Sequence, residues 1–302
     1  MEKTTPIRLH YLEAYSNKIS QSDKYVVISD IHSDANKLEE VFNAINTKID
    51  PDFVIIAGDV IDNMLDTRNE QVKQILNYEA SKNEIFIGLG NHDVFGKNEI
   101  PVDNSSFFDD LRKKGIVVFQ NTTEGIPLEN GSIIYGLDMD NEWYKNRETS
   151  EQVEKKLMNY EFNPDKYNIL IFHSPRGVLN NQGKIAFSHH LENIPDHFIT
   201  GHMHAGLIPY EMQHFIKDNR GVIGPYNIVF PKNSYGIYND ENKSVLISDG
   251  ITKIHYSNGG IFIAPLLENI FIPDIYIIKT IPVNSMNNIK KQLVKIRTTV
   301  IK

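Results

Sequence analysis

The sequence contains no cysteine among its 302 residues. This absence excludes disulfides, thiolate nucleophiles, iron–sulfur clusters and cysteine-type zinc sites, which leaves imidazole, carboxylate and amide oxygen as metal ligands. Positive charge is also scarce, because 31 Lys and Arg against 39 Asp and Glu give a net charge of −8 with His neutral. That balance argues against broad, non-specific binding to nucleic acid.

Long uninterrupted apolar runs are missing as well. The most apolar stretch, residues 261–283, is interrupted by Pro265, Glu268 and Lys279 among others, and a lipid-exposed span would tolerate these poorly. We therefore interpret it as core strands. The first residues show no apolar core after a basic flank, so we predict neither a signal peptide nor an anchor and expect a cytoplasmic protein.

Short apolar runs alternate with segments of helical periodicity over the first two-thirds of the chain, which is typical of a sheet flanked by helices. The predicted strands are 25–29, 53–57, 85–89, 116–119, 132–137, 169–172 and 197–200, and the predicted helices include 38–49, 67–82, 104–114 and 151–160. A hairpin at 234–248 and further strands form a β-rich second half at about 227–281. No repeat or low-complexity linker divides the chain, so we predict a single domain over residues 1–302.

Five of the predicted strands are followed at once by side chains that can bind a metal. These side chains are Asp30, His32, Asp59, Asn91, His173, His202 and His204. Because open α/β sheets bind ligands at the carboxyl ends of their strands, one parallel sheet would bring all of them to one rim. In Asp30-Ile31-His32 and in His202-Met203-His204, a spacing of two would turn both side chains to the same side of an extended segment.

Seven donors are too many for one tetrahedral ion, so a pair of divalent metal ions fits the set better. A carboxylate can bridge two ions about 3.5–4 Å apart, and such a pair polarises a phosphoryl group while lowering the pKa of a bridging water. Mixed imidazole and oxygen donors without sulfur suit Mn, Fe or Zn and fit poorly with Mg or Ca.

The complete, ordered set of motifs resembles that of the calcineurin-like metallophosphoesterases of bacterial type. The family pattern D-x-H, G-D-x-x-D, G-N-H-[DE], H and G-H-x-H is matched in order by residues 30–32, 58–62, 90–93, 173 and 201–204. The resemblance covers about residues 24–206 together with the β-rich second half. It implies an α/β fold, a four-layer α/β/β/α sandwich with two packed mixed sheets.

The resemblance also implies a role for each motif residue. The first metal would be held by Asp30, His32, Asp59 and His204, and the second by Asp59, Asn91, His173 and His202. His92 would donate a proton to the leaving oxygen or clamp the phosphoryl group, and Asp62 would orient it. Asp62 taken alone could also be a helix cap or turn residue, but the orienting role is the favoured interpretation.

Two further side chains are candidates for contact with the substrate, Asn91 and Arg176. Arg176 follows the His173 motif directly and would supply positive charge to the phosphoryl group. It could equally be a solvated loop residue, and the sequence does not separate the two interpretations.

The function that follows is a dinuclear-metal-dependent hydrolase of small-molecule phosphate esters, which acts by in-line attack of a metal-bridging hydroxide. We favour phosphodiester or nucleotide-type substrates. Many relatives, the protein phosphatases especially, have Arg-Gly after the second motif where this chain has Asn63-Met64, which weakens a protein-phosphatase assignment.

Three alternatives remain beside this function. The first is a phosphomonoesterase or protein phosphatase of the same chemistry. The second is a catalytically silent scaffold that binds a protein partner, although none of the expected ligands is lost here. The third is a nuclease, which the net acidity disfavours.

The carboxyl-terminal tail, residues 285–302, is basic, and Ile289, Leu293, Ile296 and Val300 recur in it at helical spacing. We predict a terminal helix docked on its own domain. A basic amphipathic helix on an anionic membrane surface is the less favoured alternative, because the apolar stripe is narrow and lacks Trp or Phe.

Some conspicuous side chains have ordinary explanations. Trp143 and Tyr144 could stack on a base or sugar, but packing is the favoured interpretation. His189 and His190 are interpreted as part of a solvated segment, and Asp93 as a support for its loop.

Overall fold

The computed structural model describes residues 6–62, 67–94, 105–146, 148–191, 193–225, 228–252, 271–286, 289 and 291–301. Its strands are β1 (Ile7–Ser16), β2 (Lys24–Ile28), β3 (Phe53–Ala57), β4 (Glu84–Gly88), β5 (Val117–Phe119), β6 (Ile126–Pro127), β7 (Ile133–Leu137), β8 (Asn168–Phe172), β9 (His197–Thr200), β10 (Gly236–Asp240), β11 (Lys243–Ile247), β12 (Asp274–Pro282) and β13 (Leu293–Ile301).

Seven α-helices lie among the described residues. They are α1 (Ala35–Ala44), α2 (Thr67–Glu79), α3 (Asn91–Val94), α4 (Ser105–Arg112), α5 (Asn141–Lys145), α6 (Ser150–Leu157) and α7 (Tyr210–Gln213). A π-helical turn, Ile45–Ile49, extends α1. The Asp34 carboxylate caps the amino end of α1 by accepting a hydrogen bond from the Lys37 amide at 3.1 Å.

The strands form two mixed sheets, which confirms the predicted α/β class. The first sheet has the order β13-β1-β12-β2-β3-β4-β5 and the second the order β10-β11-β9-β8-β7-β6. Within the first sheet β2, β3 and β4 are parallel neighbours, and within the second β7, β8 and β9 are.

Alternating side chains on the central strands create the layers of the molecule. On β2, Val26 and Ile28 belong to a core shared with α1 and α2, whereas Tyr25 and Val27 belong to a core shared with the second sheet. A third core lies between the second sheet and α5 and α6, around Trp143. Helices therefore cover the outer faces of two packed sheets, which is the predicted four-layer arrangement.

The expectation that one parallel sheet carries all five motifs is wrong. Three motifs follow β2, β3 and β4 in the first sheet, and the other two follow β8 and β9 in the second. The ends of these strands nevertheless lie at a common rim. His173 Nε2 of the second sheet is 3.1 Å from Asp59 Oδ2 of the first. The ligand groups converge although the strands do not share one sheet.

The predicted carboxyl-terminal helix is also wrong, since this segment forms the strand β13. It pairs antiparallel with β1, a strand that the sequence analysis did not predict. Leu293 is buried, whereas Ile296 and Val300 are exposed. The segment is rich in β-branched residues, which suit a pleated surface, and the edge of β1 supplies the hydrogen-bonding partner.

Several predictions fall partly or wholly outside the described residues. These are the strands predicted at 261–270, the start of the helix predicted at 104–114, and the pair Asn63-Met64. The later part of the apolar stretch is described and forms β12, as predicted. Among the described residues, every helix is too short or too polar to cross a membrane.

Candidate metal centre

The backbone that presents the predicted ligands adopts an unusual conformation. The φ angles are +55° at Asp30, +49° at His32, +53° at Asp59, +70° at His202 and +46° at His204. Non-glycine residues rarely occupy this left-handed region, and each instance costs on the order of 1–3 kcal/mol. The motifs at residues 30–32 and 202–204 are therefore tight turns, and the expectation that they are extended segments is wrong.

Two glycines allow the strand ends to approach one another. Gly58 has a φ of +85°, and a Cβ atom there would overlap the His173 ring. A Cβ atom at Gly201 would overlap Ser29 and the Asp30 carboxylate. Both positions require a residue without a side chain, since the ligands occupy the space.

A first cluster of ligand atoms contains Asp30, His32 and His204, whose donor atoms lie within 4.8 Å of one another. The Nε2 atoms of the two histidines are 3.4 Å apart, and His204 Nε2 is 3.7 Å from Asp30 Oδ1. The other ring nitrogen of His204 lies 3.1 Å from the Thr252 carbonyl oxygen. A carbonyl only accepts, so Nδ1 donates and Nε2 keeps its lone pair for a cation.

A second cluster contains Asp59, His173 and His202, with donor atoms again within 4.8 Å of one another. His173 Nε2 is 3.1 Å from Asp59 Oδ2 and 3.2 Å from His202 Nδ1. His173 Nδ1 donates to the Ala57 carbonyl oxygen at 2.7 Å, which turns Nε2 inward as an acceptor. His204 in the first cluster and His173 in the second are thus each oriented by a backbone carbonyl oxygen on the far side of the ring.

Asp59 lies between the two clusters. Its Oδ2 atom is 3.1 Å from His173 Nε2 in the second cluster and 3.7 Å from His32 Nε2 in the first. Burial opposes ionisation of Asp59, but His173 and His92 outweigh it and hold the pKa of this carboxyl well below its usual value. The same charge overcomes the burial penalty on His173 and raises its pKa to about 10.

The residues fit divalent cations on grounds independent of the motif. The Asn91 side-chain oxygen is buried without a hydrogen-bond partner among the described residues, as expected of an oxygen that serves a cation. Nitrogen and oxygen donors without sulfur suit Mn, Fe or Zn.

His92 forms a third group of possible ligand atoms with His32 and Asp59, and Asp62 lies against its ring. His92 Nδ1 is 2.7 Å from Asp62 Oδ1, and the His92 amide donates to Asp59 Oδ1 at 2.8 Å. Burial opposes the protonated form of His92, yet Asp59 and Asp62 outweigh it and raise the pKa to about 9. About 31% of the His92 side chain is exposed, whereas 1% of His32 is, so His92 faces the outside of the site.

A family profile described as calcineurin-like phosphoesterase matches residues 24–206, more than half of the chain. The chain belongs to the calcineurin-like phosphoesterase family. Family membership makes the protein a phosphoester hydrolase. All five motifs of this phosphoesterase lie within the matched residues.

Solved structures of low sequence identity are similar to this phosphoesterase over much of its length. Phosphopantetheinyl hydrolase from Mycobacterium tuberculosis has 11% identity and a TM-score of 0.42, over 90% of this chain and 95% of that one. The protein TT1561 of Thermus thermophilus has 12% identity and a TM-score of 0.42, over 76% of this chain and 90% of that one. The NAD nucleotidase of Haemophilus influenzae has 15% identity and a TM-score of 0.41, over 76% of this chain and 45% of that one. No curated protein matches the chain.

Sequence reasoning missed one residue of this phosphoesterase's site, Glu148. Its carboxylate is buried between α5 and α6, 2.8 Å from His202 Nε2 and 3.1 Å from Arg176 Nη1. Burial opposes its ionisation, but His202 and then Arg176 outweigh it and lower its pKa. Nothing in the sequence indicates this contact, because Glu148 lies in a polar segment without a motif.

Other side chains have the structural roles that the sequence favoured. Asp93 holds its loop by accepting hydrogen bonds from the amides of Val60, Ile61 and Gly90. Burial and the Asp59 charge raise the pKa of Asp93 to about 7. Trp143 and Tyr144 are each about 1% exposed, which confirms packing over a stacking platform.

Proposed function

We propose that the protein is a dinuclear-metal-dependent hydrolase of small-molecule phosphate esters, with phosphodiesters or nucleotide-type compounds as substrates. One observation carries this proposal: two clusters of ligand atoms lie on either side of the single carboxylate of Asp59. Asp30, His32, Asp59 and His204 would hold one cation, and Asp59, Asn91, His173 and His202 the other. Two divalent cations held there would polarise a phosphoryl group and lower the pKa of the water that attacks phosphorus in line with the leaving oxygen.

His92 assists departure of the leaving group. Asp62 faces its Nδ1 atom at 2.7 Å, which orients the ring and stabilises a proton on it. The Nε2 atom is then directed away from Asp62. A positioned imidazolium can donate this proton to the leaving oxygen or hold a phosphoryl oxygen by charge, the two roles that the sequence suggested.

Arg176 supplies further positive charge at the rim. About 27% of its side chain is exposed, and one Nη atom is held by Glu148. A guanidinium has five N–H donors, so others remain for a phosphoryl oxygen. The Asn91 amide group can contact the same oxygens, since its side-chain oxygen is committed to the cation. Both assignments support binding of the phosphate group rather than of any particular leaving group.

The substrate class is tested with metal-stripped protein to which Mn²⁺, Fe²⁺ or Zn²⁺ is returned. We expect hydrolysis of bis-p-nitrophenyl phosphate to exceed that of p-nitrophenyl phosphate. A preference for the monoester would replace the proposed substrate class by phosphomonoesters. A fully metal-loaded protein that cleaves neither compound would favour the silent-scaffold alternative and contradict the proposal.

A further inference from the structure

Three donors converge on one buried carboxylate behind the second cluster. The side chain of Glu148 is fully buried. Its Oε2 atom accepts a hydrogen bond from Ser174 Oγ at 3.1 Å and contacts Arg176 Nη1 at 3.1 Å. Its Oε1 atom lies 2.8 Å from His202 Nε2. Ser174 and Arg176 approach this carboxylate as donors and its oxygens accept, so the His202 nitrogen that faces Oε1 is the one that carries the ring hydrogen.

The surrounding packing holds Glu148 in place. Its backbone amide donates to the Trp143 carbonyl oxygen at 3.2 Å, and its φ angle is +53°. The Trp143 indole is buried and donates to the Thr149 carbonyl oxygen at 2.9 Å. The loop between α5 and α6 is therefore tied back on both sides of Glu148, which makes the carboxylate a rigid partner for His202.

We propose that Glu148 is a positioning residue that fixes the tautomer and ring orientation of His202, so that Nδ1 faces the second metal position. The inference rests on the proposed two-metal site and deepens it. Since the hydrogen of His202 is on Nε2, its Nδ1 atom keeps the lone pair and points at His173 Nε2, 3.2 Å away. A carboxylate behind a ligating imidazole also makes the imidazole a stronger ligand.

His202 differs from His173 and His204 in its far-side partner. His173 and His204 use a backbone carbonyl oxygen as the far-side partner and present Nε2 to the cation. His202 uses a charged side chain and presents Nδ1. A backbone carbonyl is always present, whereas this contact depends on one replaceable residue. The orientation of His202 in the second cluster thus depends on Glu148.

The variant Glu148→Gln tests the inference by metal binding rather than by turnover. The amide is nearly the same size, but it has only one accepting oxygen for three donors. We expect a calorimetric titration of the metal-stripped variant with Zn²⁺ to show weaker binding at the second metal position, by about 10- to 100-fold relative to the wild type. The affinity of the first position should be unchanged. The matched control is Glu151→Gln, an exposed carboxylate on α6 that pairs with Lys155, and it should bind both ions like the wild type.

The tautomer can be measured in the wild-type protein, which keeps the inference testable if the variant does not fold. Long-range ¹⁵N–¹H spectra of the Zn²⁺-loaded protein should show His202 with its hydrogen on Nε2. A hydrogen on Nδ1 would overturn the inference. So would a Glu148→Gln variant that binds both ions with wild-type affinity. Wild-type protein that binds fewer than two ions would overturn the proposed function and this inference together.

Discussion

At the scale of single residues, chemical function coincides with backbone strain. Asp30, Asp59 and His202 carry ligand atoms and also have positive φ angles. Such conformations persist where the surrounding structure stabilises them, and buried neighbours surround these side chains here. The free energy of folding is therefore partly used to hold ligand atoms in place before any cation binds.

The role of His92 can be tested by substitution. We expect His92→Ala to retain its metal content, because all seven predicted ligands remain and the backbone amide of residue 92 still donates to Asp59. Turnover should fall by about a hundredfold or more, the loss expected for a positioned acid or charge. Elemental analysis and steady-state kinetics measure the two effects. His190→Ala is the control, since His190 is exposed and pairs with Glu154, and it should keep full turnover.

Full activity in His92→Ala would contradict the assignment. Loss of the metals in that variant would contradict it in a different way, because His92 would then be a ligand.

A second residue-scale prediction concerns His197, which is buried at the start of β9 with Nδ1 2.8 Å from Ser244 Oγ. Burial lowers its pKa from 6.5 to about 4 in the folded protein. Below pH 6.5 the unfolded chain therefore binds a proton that the folded protein does not. Its contribution to stability is complete above pH 6.5 and is lost as the pH falls towards 4, by about 3 kcal/mol.

Urea unfolding at pH 7 and pH 4.5 measures this contribution. The difference in unfolding free energy between the two pH values should be smaller in His197→Asn than in the wild type. An equal difference in both proteins would show that His197 does not titrate as described.

At the scale of elements, β13 shows how a tertiary partner decides secondary structure. Its apolar residues satisfy a helical spacing, yet it lies against β1 as an edge strand. The pairing brings Thr298 Oγ1 within 3.1 Å of His10, which in turn contacts Asp274 of β12 at 2.6 Å. Side-chain contacts thus connect β13, β1 and β12 in addition to the backbone hydrogen bonds between β13 and β1.

Two substitutions in β13 test this pairing. Leu293 is about 1% exposed, so we expect Leu293→Ala to lower the free energy of unfolding by about 2–5 kcal/mol. Ile296 is about 53% exposed, and Ile296→Ala should change it by roughly 0.5 kcal/mol or less. Urea denaturation measures both. A small effect of Leu293→Ala would indicate that the terminal segment is not packed on the domain.

At the scale of the whole molecule, the two sheets meet at the metal centre. The first sheet places Asp30, His32 and Asp59, and the second places His173 and His202. A cation bound by Asp59 and His173 would join elements that are otherwise held by apolar packing between the sheets. Cation binding and folding would then be thermodynamically linked.

Metal removal tests this linkage. Free metal at about a hundred times its dissociation constant should stabilise the folded state by about 2.7 kcal/mol per site, because the unfolded chain lacks the assembled ligands. Thermal unfolding should therefore shift upward on addition of Zn²⁺ or Mn²⁺ and downward with a chelator. In Asp59→Asn the shift should be smaller, since the shared carboxylate is lost. A thermal midpoint that is independent of metal would contradict a bound cation between the sheets.

The sequence by itself determined the order of the central strands along the chain and the reaction class, and it predicted the ligand set. Strand periodicity is a local property, and motif residues follow directly on strand ends, so both can be read along the chain. The tertiary structure alone decided the division of the motifs between two sheets, the strand conformation of β13 and the contact of Glu148 with His202. Each of these depends on a partner far away in sequence, and local patterns contain no information about such a partner.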